Sequence, residues 1–174
     1  MLSNLKLHRS TYIFLLVWTL FSITFCVVTY KMQPLTVTFI KNDDRILQGL
    51  LRGVILLAVY VAFSFIPYRF AILIPNLAYF GLLVAWIWQL IFVVLGSGVV
   101  GIAADAVFVL VYGLLVYCAT VTAFQIIERV RRNQSAYYFH KWLMTTKRVL
   151  VAHWLPLVVL VCAYAFLWAT VSPR

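Results

Sequence analysis

The chain has 174 residues, 66% of them hydrophobic and 10% charged, with a formal net charge of +10. Soluble domains run nearer one-half apolar and one-quarter charged, so this composition excludes an ordinary soluble domain and points to a membrane protein. Fourteen Lys and Arg against four Asp and Glu would also suit nucleic acid. The bases sit between apolar stretches, however, where they orient a membrane protein, so no nucleic-acid partner is expected.

The N-terminal "MLSNLKLHRS" precedes an apolar run over 11–30. That run is longer than a signal-peptide core, and "FSITFCVVTYKMQP" holds no A-x-A-like cleavage pattern, so a retained span is expected. Four further apolar stretches lie at 46–66, 70–95, 98–127 and 150–171. Each reaches the roughly 20 residues that a helical crossing needs. No alternating strand pattern appears, so helices are the way to satisfy the backbone in lipid. Pro67 and Arg69 separate the second and third stretches. The expected fold is all-α: an integral membrane helical bundle of about five transmembrane helices. It would form one multi-pass domain over 1–174, with no separate soluble module.

Orientation follows from the loop bases. Lys6 and Arg9 precede the first span; Lys31, Lys41 and Arg45 follow it, beside Asp43 and Asp44. Arg69 lies in the next turn, and "GSG" at 96–98 carries no base. Arg129, Arg131, Arg132, Lys141, Lys147 and Arg148 precede the last span, and Arg174 follows it. A cytoplasmic N-terminus places nine bases inside and four outside, leaving aside Arg52 within a span. The C-terminus then lies on the opposite side.

The segment 128–149, "ERVRRNQSAYYFHKWLMTTKRV", has Phe139, Trp142, Leu143 and Thr146 at helical spacing, with Gln134, Lys141, Thr145 and Arg148 on another face. This pattern predicts an amphipathic helix lying in the interface, aromatics toward acyl chains and bases toward phosphates. Arg129, Arg131, Arg132, Lys141, Trp142, Lys147 and Arg148 are its candidate contacts with anionic lipid headgroups or a partner subunit. Glu128 can pair with Arg131 or Arg132 one turn on. "NQS" at 133–135 matches a glycosylation sequon but falls on the inner side, where it stays unmodified.

Catalytic motifs are missing: no H-E-x-x-H, P-loop or G-x-S-x-G occurs. His8, His140 and His153 are scattered, and only His153 approaches a span interior. Cys26, Cys118 and Cys162 lie in apolar stretches without a C-x-x-C pair and read as small hydrophobes. No metal, cofactor or catalytic residue is expected.

One carboxylate, Asp105, interrupts "GVVGIAADAVFVLVYGLLVY". Charges within spans face protein or water. Counting inward at 1.5 Å per residue places Asp105 about 10 Å deep, and Arg52 and Gln89 about 9 Å deep, on three different spans. They form an expected intramembrane polar layer, with Arg52 paired to Asp105. Arg52 also lies inside "GLLRG", where Gly49 and Gly53 make a small-xxx-small packing step. Gly98 and Gly101 are its expected counterpart on the fourth span.

The alternation of aromatic-rich spans with a basic inner loop is loosely similar to four-span MARVEL-type membrane proteins over spans one to four. A fifth span and the short "GSG" turn depart from that pattern, and no specific motif assigns the family. The expected function is non-enzymatic: an accessory or scaffolding subunit of a larger membrane complex, bound to the bilayer and to other subunits or to itself. The alternative is a small transporter or channel component using the layer around Asp105.

Overall fold

The computed structural model describes residues 16–17, 19–20, 23–24, 37–39, 43–96, 99–132 and 137–173. Four long helices dominate: α1 (Asp43–Phe63), α2 (Leu73–Gly96), α3 (Val99–Arg132) and α4 (Tyr138–Thr170). A 3-10 turn, Arg69–Ile72, leads into α2. Short strands β1 (Val37–Phe39) and β2 (Val171–Pro173) pair antiparallel, with Thr38 opposite Ser172.

Each of the four helices is long and apolar enough to cross a membrane. They correspond to the second to fifth expected spans. The first, at 11–30, falls largely outside the described residues; Leu16, Val17, Thr19, Leu20, Ile23 and Thr24 within it are helical.

The helix ends follow local chemistry. Helix α1 opens at Asp43, and Asp44 lies in its first turn, where a carboxylate complements the positive end of the helix dipole. At its other end, Phe65 N–H donates to Ala62 and Ile66 N–H to Phe63, tightening the last turn before Pro67 stops it. Pro75 sits in the first turn of α2, where its missing N–H breaks no helical bond. The basic residues Arg129, Arg131 and Arg132 close α3, at the negative end of its dipole.

With 34 and 33 residues, α3 and α4 are each about 50 Å long, against a hydrocarbon core of about 30 Å. They run side by side past any bilayer-thick layer. This corrects the expectation of a separate interfacial helix in 128–149. Its first residues end α3, and 138–149 begins α4 without a break at residue 150. Part of the apolar face meets protein, while Phe139 and Leu143 stay exposed. Val149, fully buried, packs with Ile126 and Val130 of α3, and Tyr138 and Trp142 cover them.

Helix α4 lies against both α1 and α3, and α2 packs mainly on α3. Aromatic rings fill the centre. The Trp86 ring of α2 sits 4.4 Å from Phe108 and 4.7 Å from Tyr112 of α3. From α4, Tyr164 stacks 5.8 Å from Phe108, and Trp168 lies 6.1 Å from both Trp86 and Phe108. Such tilted and offset pairs add to the apolar area each ring buries. The outer faces are apolar as well: Leu51, Val54, Leu110, Trp154, Val158 and Phe166 are exposed.

Candidate functional site

Gly49 and Gly53 determine where α1 docks. A Cβ at Gly49 would stand 2.8 Å from the Ala165 Cα and 3.0 Å from the Trp168 Cβ; one at Gly53 would stand 3.2 Å from Val161. The glycine step therefore seats on α4. Gly101 is buried in the first turn of α3, and Gly98 lies outside the described residues.

This docking determines what Arg52 meets. Its guanidinium carbon sits 4.2 Å from the centroid of the Trp168 ring, a cation–π contact. The expected ion pair is not formed. Among the described residues neither a hydrogen bond nor an ion pair joins Arg52 to Asp105. Matched depth does not bring the two side chains together, because α1 turns its polar residue toward α4. Trp168 touches Phe108, which lies one turn beyond Asp105, so the two charges belong to one neighbourhood without touching. Asp105 itself is 9% exposed and has no hydrogen-bond or ion-pair partner among the described residues. Gln89 lies in α2, and its side chain falls outside the described residues.

A second polar group, absent from the sequence reading, joins three helices. Tyr60 of α1 donates to Asn76 Oδ1 of α2 at 2.6 Å. Thr120 of α3 donates to the same oxygen at 2.7 Å, with the Val116 carbonyl 2.8 Å away as an alternative acceptor. The Tyr60 and Tyr79 rings stack at 5.8 Å beside this node. Asn76 and Thr120, polar residues within largely apolar spans, were the available signal.

The bases gather at the other end of α3 and at the start of α4. Arg129, Arg131, Arg132, Lys147 and Arg148 are exposed, and Lys141 is half-buried. Arg132 pairs with Glu128. Met144, Lys147, Arg148 and Val151 line a shallow open groove of about 420 Å³. Trp142, half-buried, meets protein on one side. Its Nε1–H donates to Ser64 Oγ at 3.2 Å, and Tyr138 O–H donates to the Phe65 carbonyl. The Phe65 ring meets Tyr138 and Trp142 edge-on at 5.3 and 5.4 Å. The turn between α1 and α2 is thus clamped to α4. Trp142→Phe keeps a ring and loses the bond, so it should cost about 1 kcal/mol, roughly 2–4 °C in Tm. Ser64→Ala also loses its 2.6 Å bond to the Val61 carbonyl and should cost somewhat more, and adding Trp142→Phe to it should cost little further. Fully additive losses would show that Trp142 and Ser64 do not interact.

His153 Nδ1 lies 3.0 Å from the Val149 carbonyl oxygen within its own helix. Among the described residues no three His, Cys, Asp or Glu side chains are grouped to hold a metal ion, and Cys118 and Cys162 are free. Comparison of the chain with protein-family models, with curated proteins and with solved structures finds no match in any of the three.

Proposed function

We propose that the chain is a five-span integral membrane protein, N-terminus cytoplasmic and C-terminus opposite, that acts without catalysis as an accessory or scaffolding subunit of a larger membrane assembly. The observation that carries this reading is the close packing of α1, α3 and α4 among the described residues, beneath apolar outer faces. Where α1, α3 and α4 meet, at Leu57, Tyr60, Ala119 and Leu157, the space left is only about 10 Å³, close to the least that one water needs. The side chains free to make contacts lie outside, toward lipid and other subunits. The pairing of β1 with β2 holds residues 37–39 and 171–173 at one end, consistent with both being outside. The basic ends of α3 and α4 lie at the opposite end, where the positive-inside bias puts the cytoplasm.

A second reading has its own observation. Asp105, 9% exposed and without a partner among the described residues, suits a proton- or cation-binding group in a transporter or channel component. Native purification followed by mass spectrometry of co-purifying chains tests the first reading, and flux in liposomes holding this chain alone tests the second. Stoichiometric partners without flux support the subunit. Proton or cation flux that Asp105→Asn abolishes overturns it in favour of the transporter.

The exposed bases also suit anionic headgroups. Charge reversal at Arg131, Arg132 and Lys141 should weaken binding to vesicles containing phosphatidylserine, more so at low salt. Unchanged binding removes lipid as the partner of this patch.

A further inference from the structure

We propose that the cleft between α2 and α3 at Asn76 holds one glycerophospholipid, its ester carbonyl accepting a hydrogen bond from Asn76 Nδ2. This goes beyond the subunit reading and rests only on α2 and α3 being membrane spans. The cleft measures about 220 Å³ and is lined by Leu73, Asn76, Leu77, Phe80 and Val116. Leu73, Leu77 and Phe80 recur at four and three residues and so form one apolar stripe along α2. Leu73 and Phe80 are exposed, so the cleft opens outward, toward lipid.

Asn76 is the polar group in that wall. Its Oδ1 is occupied by the hydroxyls of Tyr60 and Thr120. Those bonds fix the plane of the amide and leave Nδ2 with no acceptor among the described residues. An amide N–H₂ left unpaired in an apolar medium costs several kcal/mol on the order-of-magnitude scale of alkane transfer, so an acceptor is strongly favoured there. Asn76 lies three residues inside α2, about 4.5 Å below its start. Counted from Arg69, where the candidate span begins, Asn76 is roughly 10 Å in, so the bound lipid would be drawn into the cleft until its ester carbonyl meets the amide. Its acyl chain would follow Leu73, Leu77 and Phe80. Arg69, exposed in the 3-10 turn one helical turn before Leu73, is placed to meet the phosphate.

The test uses the full chain in detergent micelles, with dioleoyl phosphatidylglycerol and its ether-linked analogue competing in native mass spectrometry. The ether lacks the carbonyl and is otherwise alike. The ester should bind about fivefold better, the worth of one ordinary hydrogen bond. Arg69→Gln should weaken both lipids and keep their ratio. Asn76→Leu should abolish the preference. Because Asn76 also anchors Tyr60 and Thr120, Leu73→Trp provides a second variant: it fills the cleft without touching that node, and should lose the preferred lipid at unchanged Tm. Equal binding of ester and ether to the unaltered chain overturns the proposal, as does a preference that survives Leu73→Trp. A chain that stays soluble without detergent would overturn the membrane reading itself, a distinct outcome.

Discussion

Gly49→Ala should lower stability by about 3 kcal/mol, at the upper end of ordinary overpacking, and Tm by on the order of 6–12 °C. The added Cβ would stand 2.8 Å from the backbone Cα of Ala165, and backbone cannot swing aside as a side-chain tip can. Helix α1 must move off α4, carrying Arg52 away from Trp168. Two other glycines calibrate the effect. At Gly53 the nearest atom is a Val161 methyl at 3.2 Å, which can give, so Gly53→Ala should cost under about 1 kcal/mol. At Gly113 the nearest atom is a Leu83 methyl at 3.6 Å, an ordinary contact. Gly113→Ala should therefore gain the roughly 0.5–1 kcal/mol of helix propensity. Thermal unfolding of the three variants in one detergent checks the order. A Gly49→Ala protein as stable as Gly113→Ala would contradict the α1–α4 docking.

The charged residues give the second large effect, of opposite sign at the two positions. Asp105→Asn should raise stability by about 1–2 kcal/mol, because it removes the charge of a residue that is 9% exposed and has no partner among the described residues. Arg52→Leu should lower it by about 1 kcal/mol, through loss of the contact with Trp168. The double variant should be additive within about 0.5 kcal/mol, as for side chains that share no direct contact. A coupling above about 1 kcal/mol would mean that the two charges pair after all. If Asp105 carries a transported proton or cation, its removal should stabilise the chain and abolish flux together.

These two residues also mark what periodicity and residue counting can resolve. Counting from a span end yields depth, because each residue advances a helix by a known rise. It yields no azimuth, so Arg52 and Asp105 could be placed at one level but not facing one another. The glycine step shows the same limit. Gly49 and Gly53 mark a face that admits a close neighbour, but any helix can fill it, and the neighbour is α4 at Ala165 rather than the start of α3. The second, third and fourth apolar stretches match α1, α2 and α3 to within about five residues, since length and hydropathy govern crossing. The expected start at 150 falls well inside α4, which begins at Tyr138, and the first stretch lies largely outside the described residues. In 138–149 the helix was legible and its surroundings were not. A face of Phe139, Trp142 and Leu143 packs equally well on acyl chains or on protein, and Trp142 found Ser64 and the end of α3. The Tyr60–Asn76–Thr120 node needed three helices in register, which no single stretch encodes. β1 pairs with residues more than 130 positions away, beyond any local signal.

Sidedness is the most direct test of the whole account. In a chain lacking Cys26, Cys118 and Cys162, single cysteines are introduced as Asn4→Cys, Gln134→Cys and Arg174→Cys, and intact cells are treated with an impermeant thiol reagent. Arg174→Cys should label from outside, and Asn4→Cys and Gln134→Cys only after the membrane is opened. Labelling of positions 134 and 174 from the same side would show that α4 does not cross, and labelling of 4 and 174 from the same side would remove the five-span topology.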